Sequence, residues 1–249
     1  MFWKKKGKTA TDFKSNEQRL KSLIAFVSLE SDVWDIDNTV AAHSLIKMLA
    51  DKIVLDGVLE LITTKENSVP KGIYDCFICE KNATSDIYFE MQNRILREIK
   101  EVDANFDVDL AKNAVITAPH DMVRIKRAVT TFGTEKSPWE EKTDNHFSHV
   151  LLPIGVTFVH NGKHSTFAGI LNRAGILSVF PGSKHEVYDI SGLYPIMQFD
   201  GTNFVISGTK EMIGKARSFE LGCIFEIGRM LTEKQGRQGW NRTIKKGLN

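Results

Sequence analysis

The spacing of hydrophobic residues along the sequence changes near residue 109. Before it, leucine, isoleucine and valine recur every three or four positions, from about Glu17 to Thr64 and again from Ile87 to Val102, as on one face of an α-helix. After it, short apolar runs are separated by turn-forming residues, which is typical of β-strands. The sequence therefore predicts an α+β fold, with a mainly helical region over residues 1–108 and an α+β domain over residues 109–249.

The second region is predicted to contain several short strands and three helices. The apolar run NAVITA, which Pro119 ends, precedes the first of these helices. The predicted helices are His120–Phe132, about His164–Ala174, and about Lys210–Lys234. The predicted strands are Val150–Val159, Ile176–Phe180, His185–Ile190, Ile196–Phe199 and Phe204–Ile206. Asp200-Gly201 predicts a tight hairpin turn between the last two strands.

Composition and charge exclude several classes of protein. The 249 residues suffice to bury a core without disulfides or a metal ion. Lys and Arg number 33 against 31 Asp and Glu, so the net charge of +2 creates no global attraction for nucleic acid. Three cysteines do not make a disulfide framework, and no apolar segment is long enough for a signal peptide or a membrane span. We therefore expect a cytoplasmic protein without membrane contact.

The segment HNGKHSTFAG, residues 160–169, carries the strongest functional signal. A hairpin turn at Asn161-Gly162 would require an alternating strand after it, whereas the residues that follow have helical spacing. The apolar positions i, i+3, i+4 and i+7 are Phe167, Ile170, Leu171 and Ala174. Gly175 stands where a helix C-cap glycine belongs. The segment is therefore predicted to be a tight loop, His160–Lys163, which follows a strand and leads into the helix that begins at about His164.

Such a loop is suited to binding an anion. The first amides of a helix lack partners within the helix, and the helix dipole adds partial positive charge at that end. The candidate ligand-binding residues are Asn161, Gly162, Lys163, Ser165, Thr166 and Arg173, and the candidate acid–base residues are His160 and His164. In the structural alternative, Ser165 or Thr166 only satisfies a free amide of the helix.

Residues 113–175 resemble an uncharacterised bacterial family, a domain of unknown function. The resemblance rests on AVITAPHDMVRIKRAVTTFG and HFSHVLLPIGVTFVHNGKHSTFAGILNRAG. More remotely, a strand, Asn-Gly-x-His and a helix resemble the core loop of the ParB and sulfiredoxin-like superfamily. There, a D-G-x-H-R segment opens a helix and binds a nucleotide phosphate. The resemblance implies a small mixed sheet with helices, and activities that include nuclease, nucleotide hydrolysis and phosphotransfer.

This chain departs from the superfamily segment at two positions. Ser165 stands in place of the usual arginine, and Asn161 stands where aspartate is common. An arginine binds phosphate through two parallel hydrogen bonds, whereas lysine offers a point charge. Lys163 and Arg173 are the partial substitutes.

Four of the seven histidines fall within a short segment: His146, His149, His160 and His164. Clustered imidazoles can bind a transition metal or transfer protons near neutral pH. If Val150–Val159 is one extended strand, His146 and His149 lie at one end of it and His160 and His164 at the other, about 30 Å away. A single four-histidine site is then not expected, and His160 with His164 is the candidate pair. The cofactor is left unknown, with a divalent metal ion among the options.

Two hypotheses from different classes follow. In the first, a ParB-like protein binds a nucleotide or nucleic-acid phosphate at Asn161–Thr166, as a nuclease, nucleotide hydrolase or phosphotransferase in a bacterial mobile-element or phage-defence setting. In the second, the helical half docks a protein partner without catalysis, and the Asn-Gly loop is a structural turn. The first requires His164, Ser165 and the helix amides to converge on an open site.

Overall fold

The computed structural model describes residues 15–28, 38–64, 77–81 and 86–247. In these ranges the six helices are α1 (Asn16–Val27), α2 (Asn38–Thr64), α3 (Asp86–Glu98), α4 (Met122–Thr131), α5 (Lys163–Asn172) and α6 (Phe219–Gly247). The strands are β1 (Ile78–Lys81), β2 (Lys100–Glu101), β3 (Phe106–Asp109), β4 (Ala114–Thr117), β5 (Phe147–Leu152), β6 (Val156–Asn161), β7 (Ile176–Val179), β8 (His185–Asp189), β9 (Met197–Phe199), β10 (Asn203–Ile206) and β11 (Met212–Ala216). The fold mixes helices with several small sheets, and its first part is helical, as the sequence predicted.

A five-stranded mixed sheet organises the second part of the chain. Its strand order is β2-β8-β5-β6-β4, in which β4 runs parallel to β6 and β5 runs parallel to β8. β5 and β6 are antiparallel neighbours. An antiparallel sheet, β1-β11-β10-β9, and the pair β3-β7 complete the architecture.

The central sheet separates two hydrophobic clusters because side chains alternate between its faces along β6. Val156 and Phe158 belong to the larger cluster, together with residues of α2 and α6, whereas Val159 belongs to the smaller one. The larger cluster joins residues on both sides of position 109, such as Ile46 of α2 and Ile116 of β4. The helical region therefore packs directly on the sheet.

Several predicted elements are present close to their predicted bounds. The helix predicted over His120–Phe132 is α4, which begins after Asp121, whose carboxylate accepts a hydrogen bond from the Arg124 amide at 2.8 Å. The hairpin predicted at Asp200-Gly201 joins β9 to β10. The helix predicted from about His164 is α5.

Two predicted elements are wrong. Val150–Val159 is not one strand, because the chain turns back between Leu152 and Val156 and forms the antiparallel pair β5-β6. The last helix does not begin at Lys210, because Met212–Ala216 is strand β11, paired with both β1 and β10. Ser31, Asp32 and Asp37, whose residue types favour helix N-caps before α2, lie outside the described residues.

None of the helices in the described ranges is both long enough and apolar enough to cross a membrane.

Candidate functional site

The Asn-Gly segment lies at the carboxyl end of β6, where the strand passes directly into α5. β6 includes His160 and Asn161, which the sequence placed in a loop, and Gly162 alone separates the strand from the helix. Gly162 has φ of 75°, a left-handed conformation that favours glycine, and it gives the helix no side-chain cap. The first amides of α5 thus have no capping side chain.

Ser165 is tied to the preceding loop rather than open to solvent. The backbone N–H of Lys142 donates to Nδ1 of His146 at 2.8 Å, which places the proton of the neutral ring on Nε2. Nε2 then donates to Oγ of Ser165 at 2.8 Å, and this hydroxyl donates to the carbonyl of Gly162 at 2.9 Å. His146 therefore cannot act as a base toward Ser165 in this arrangement.

The rest of that loop is fastened by Trp139 and Glu141. Trp139 is buried, and its indole N–H donates to the carbonyl of Ser165 at 2.8 Å. Its ring lies against His146, with centroids 5.0 Å apart. Glu141 accepts hydrogen bonds from the His185 ring at 2.6 Å and from the Ser178 amide at 2.9 Å.

Glu141 belongs to a serine–histidine–glutamate chain that sequence reasoning missed. The hydroxyl of Ser148 donates to Nδ1 of His185 at 2.7 Å, and Nε2 of the same ring donates to Glu141. These residue types also form catalytic triads, but Ser148 is fully buried, so that no substrate can reach its hydroxyl. This hydrogen-bonded series of three side chains joins the loop to β5 and β8 and has a structural role.

The open side of the segment is formed by His164 and His120. The two rings are in edge-to-face contact, with centroids 5.0 Å apart. His120 precedes α4 and His164 lies in the first turn of α5, so that the contact joins the beginnings of two helices. Both helices follow parallel neighbouring strands, β4 and β6, and the carboxyl edge of such strands is where α/β folds bind ligands. Nε2 of His164 is buried and has no hydrogen-bond partner in the part of the chain that the structure describes.

The charges near His164 are mainly positive. Burial is the largest cause of the lowered pKa of His164, and the neighbouring His120, Arg124 and Lys163 lower that pKa further, whereas Asp121 opposes them. Burial also lowers the pKa of the Lys163 ammonium group. Both groups would gain a stabilising interaction from a bound anion.

The other predicted site residues are dispersed around α5. Asn161 is exposed at the end of β6, and Thr166 is fully buried, with no hydrogen-bond partner for its hydroxyl among the described residues. Arg173 follows the last residue of the ten-residue α5, with φ of 52°. It therefore lies about 15 Å from the beginning of the helix, too far to take part in the same site.

His160 and His164, the predicted pair, each contact a different histidine ring. His164 contacts His120, whereas His160 contacts His149, with centroids 4.4 Å apart. The expected separation of His149 from His160 was wrong because the chain folds back between β5 and β6. Over the described ranges, no three histidine, cysteine, aspartate or glutamate side chains are grouped closely enough to hold a metal ion.

The chain belongs to a family of unknown function (DUF6710), whose model matches residues 4–238. This match confirms the expectation of an uncharacterised family and extends well beyond the residues on which the resemblance rested. No curated protein and no solved structure shows significant similarity to the chain.

Proposed function

We propose that this member of the DUF6710 family binds a phosphate-type anion at the beginning of α5, through Lys163, His164 and the first amides of the helix. The observation that carries the proposal is that α5 begins without a side-chain cap, among the basic groups Lys163, His164 and Arg124. An anion there would interact favourably with the helix dipole and with these basic groups.

The remote ParB-like resemblance supports a nucleotide or nucleic-acid phosphate as the ligand. The resemblance implies a strand, a short Asn-Gly segment and a helix, and β6, Gly162 and α5 have this order. The sheet edge is open beside His120, which is exposed. When its phosphate is bound there, the rest of a nucleotide or nucleic acid can extend into solvent. Hydrolysis or phosphotransfer, with His164 as acid or base, is the enzymatic form of this proposal.

Isothermal titration calorimetry tests the proposal with four probes: inorganic phosphate, AMP, ATP and a short single-stranded oligonucleotide. We expect at least one probe to bind the full chain. His164→Gln and Lys163→Met should each weaken that binding about tenfold or more, because each removes a charged or hydrogen-bonding contact to the anion. Lys136→Met is the matched control, since Lys136 is an exposed lysine outside the site.

Two outcomes would contradict the proposal: none of the probes binds, or both site variants bind as tightly as the wild type. Binding of phosphate alone would indicate an anion site without nucleotide specificity. Tighter binding of AMP, ATP or the oligonucleotide would identify the class of ligand and direct the assays for hydrolysis or nuclease activity.

The second candidate function, a non-catalytic interaction protein, is favoured by α2. This helix carries large apolar side chains that are between 46% and 67% exposed and lie on one side of the helix: Val40, Met48, Leu55, Leu59 and Ile62. Exposed apolar surface of this kind is typical of protein contacts. The calorimetric experiment discriminates between the two candidate functions, because an interaction protein whose loop is only a structural turn would bind none of the phosphate probes.

A further inference from the structure

A second histidine contact involves the neighbouring strands β5 and β6 of the central sheet. His149 of β5 is directly opposite Phe158 of β6, and His160 is two residues further along the same strand. Side chains two residues apart on a strand share a face, so His149 and His160 are diagonal neighbours. Their ring centroids are 4.4 Å apart, and the ring planes are inclined by 61°.

Glu186 of β8 orients one ring of this pair. His149 is directly opposite Glu186 in the parallel pairing of β5 with β8, and Nε2 of His149 lies 3.0 Å from a carboxylate oxygen of Glu186. The hydroxyl of Tyr188 donates to the same carboxylate oxygen at 2.7 Å. Metal-binding histidines commonly donate their second ring N–H to a carboxylate, which fixes the ring and makes its other nitrogen a better ligand.

The exposure of the pair suits a metal ligand. The His149 side chain is 19% exposed and His160 is exposed, so that an ion can approach from solvent. No hydrogen bond within the described ranges occupies Nδ1 of His149 or either nitrogen of His160.

We propose that His149 and His160 together bind one divalent transition-metal ion of the Zn²⁺ class, with Glu186 as the hydrogen-bonding partner that orients His149. Imidazole nitrogens are preferred ligands of Zn²⁺, Ni²⁺ and Cu²⁺. Two nitrogens on one tetrahedral Zn²⁺ lie about 3.3 Å apart, and the two rings are already in contact. The remaining coordination positions are left to water or an added anion, because no third ligand is close enough among the residues that the structure describes.

Zn²⁺ binding to the full, untagged chain, measured in competition with a chromophoric chelator, tests this proposal. We expect His160→Ala and His149→Ala each to bind one Zn²⁺ fewer per chain than the wild type. Glu186→Gln should keep this site but weaken it about tenfold. His120→Ala is the matched control, because His120 is also an exposed histidine with a histidine ring contact. It should bind as much Zn²⁺ as the wild type.

The sequence also contains Cys76 and Cys79, which could bind Zn²⁺ separately. The same titrations are therefore repeated with Cys76→Ser and Cys79→Ser introduced together, and the loss caused by His160→Ala should persist. His160 is exposed, so its replacement leaves the core intact, and circular dichroism verifies the fold. Equal Zn²⁺ binding by the wild type and both histidine variants would overturn the proposal, as would loss of all binding in the cysteine variant. The phosphate titrations are made without metal, so the two proposals fail or succeed separately.

Discussion

Gly162 lies so close to the imidazole ring of His146 that a Cβ atom at residue 162 would overlap Cδ2 of the ring. The same ring donates a hydrogen bond to Ser165, three residues further along the chain. The Asn-Gly-Lys-His-Ser segment is therefore also the packing site of a distant loop. Gly162 and Ser165 face that loop, whereas Lys163 and His164 remain on the side that we propose binds an anion.

Gly162→Ala is expected to lower the free energy of unfolding by at least about 2 kcal/mol, because the added methyl group both overlaps His146 and disfavours the left-handed backbone. Urea denaturation measures the change. Gly182→Ala is the matched control, since Gly182 has φ of 85° and no atom near its Cβ position. It should lower the stability by about 1 kcal/mol. Equal losses for the two variants would show that the contact with His146 is unimportant.

Ser165→Ala is expected to lower the free energy of unfolding by about 1–3 kcal/mol, because the buried N–H of His146 loses its acceptor. Phosphate affinity should change by less than about threefold, since the hydroxyl is already occupied by His146 and Gly162. Urea denaturation and calorimetry of one preparation test both statements. A stable variant that no longer binds phosphate would instead make the hydroxyl a ligand contact.

Glu141→Ala is expected to lower the free energy of unfolding by about 2–3 kcal/mol, because it leaves the buried ring of His185 and the amide of Ser178 without an acceptor. The neighbouring Glu140→Ala is the control. Glu140 is exposed and pairs with Lys142 at the surface, so its loss should leave the free energy of unfolding almost unchanged. Similar urea midpoints for both variants would contradict the proposed structural role of Glu141.

The stability of the protein is expected to fall as the pH is lowered below about 6.5, in part because of His146. Burial is the largest cause of its lowered pKa; His185 also lowers that pKa, while the charges of Glu141 and Asp144 raise it. The unfolded chain therefore takes up a proton at a higher pH than the folded protein. Above the unfolded pKa both states are neutral, and this contribution to stability is fully present.

Urea denaturation between pH 8 and pH 5 measures this dependence. One such histidine makes the free energy of unfolding change by up to about 1.4 kcal/mol per pH unit. This slope applies between the pKa of the unfolded state and the lower pKa of the folded state. His146→Gln should lose stability less steeply than the wild type over this range. Parallel curves for the two proteins would show that His146 does not titrate differently in the folded state.

The elements that the sequence predicted correctly are those whose signals are local. The helix α4 has regular apolar spacing, and Asp200-Gly201 is a turn dipeptide between apolar runs. The turn that divides β5 from β6 carries the turn-forming residues Pro153 and Gly155, but they lie within an apolar run, and the apolar spacing favoured a single strand. β11 is short, and its strand conformation depends on pairing with β1 and β10.

The candidate site was predictable only in part for the same reason. The passage from β6 to α5 follows from the spacing after Gly162. The contacts of Ser165 with His146 and of His164 with His120 join segments that are distant in sequence. Both contacts depend on how the loop and the strands fold together, and the spacing of residues along the sequence does not give that information.

The most direct test of the proposed anion site is a titration of the ¹⁵N-labelled full chain with inorganic phosphate, followed by the amide resonances of α5. We predict saturable shifts of the Lys163 and His164 amides, at the beginning of the helix, and little change at Arg173, at its end. Unchanged Lys163 and His164 resonances at high phosphate concentration would contradict the account, as would shifts confined to other parts of the chain.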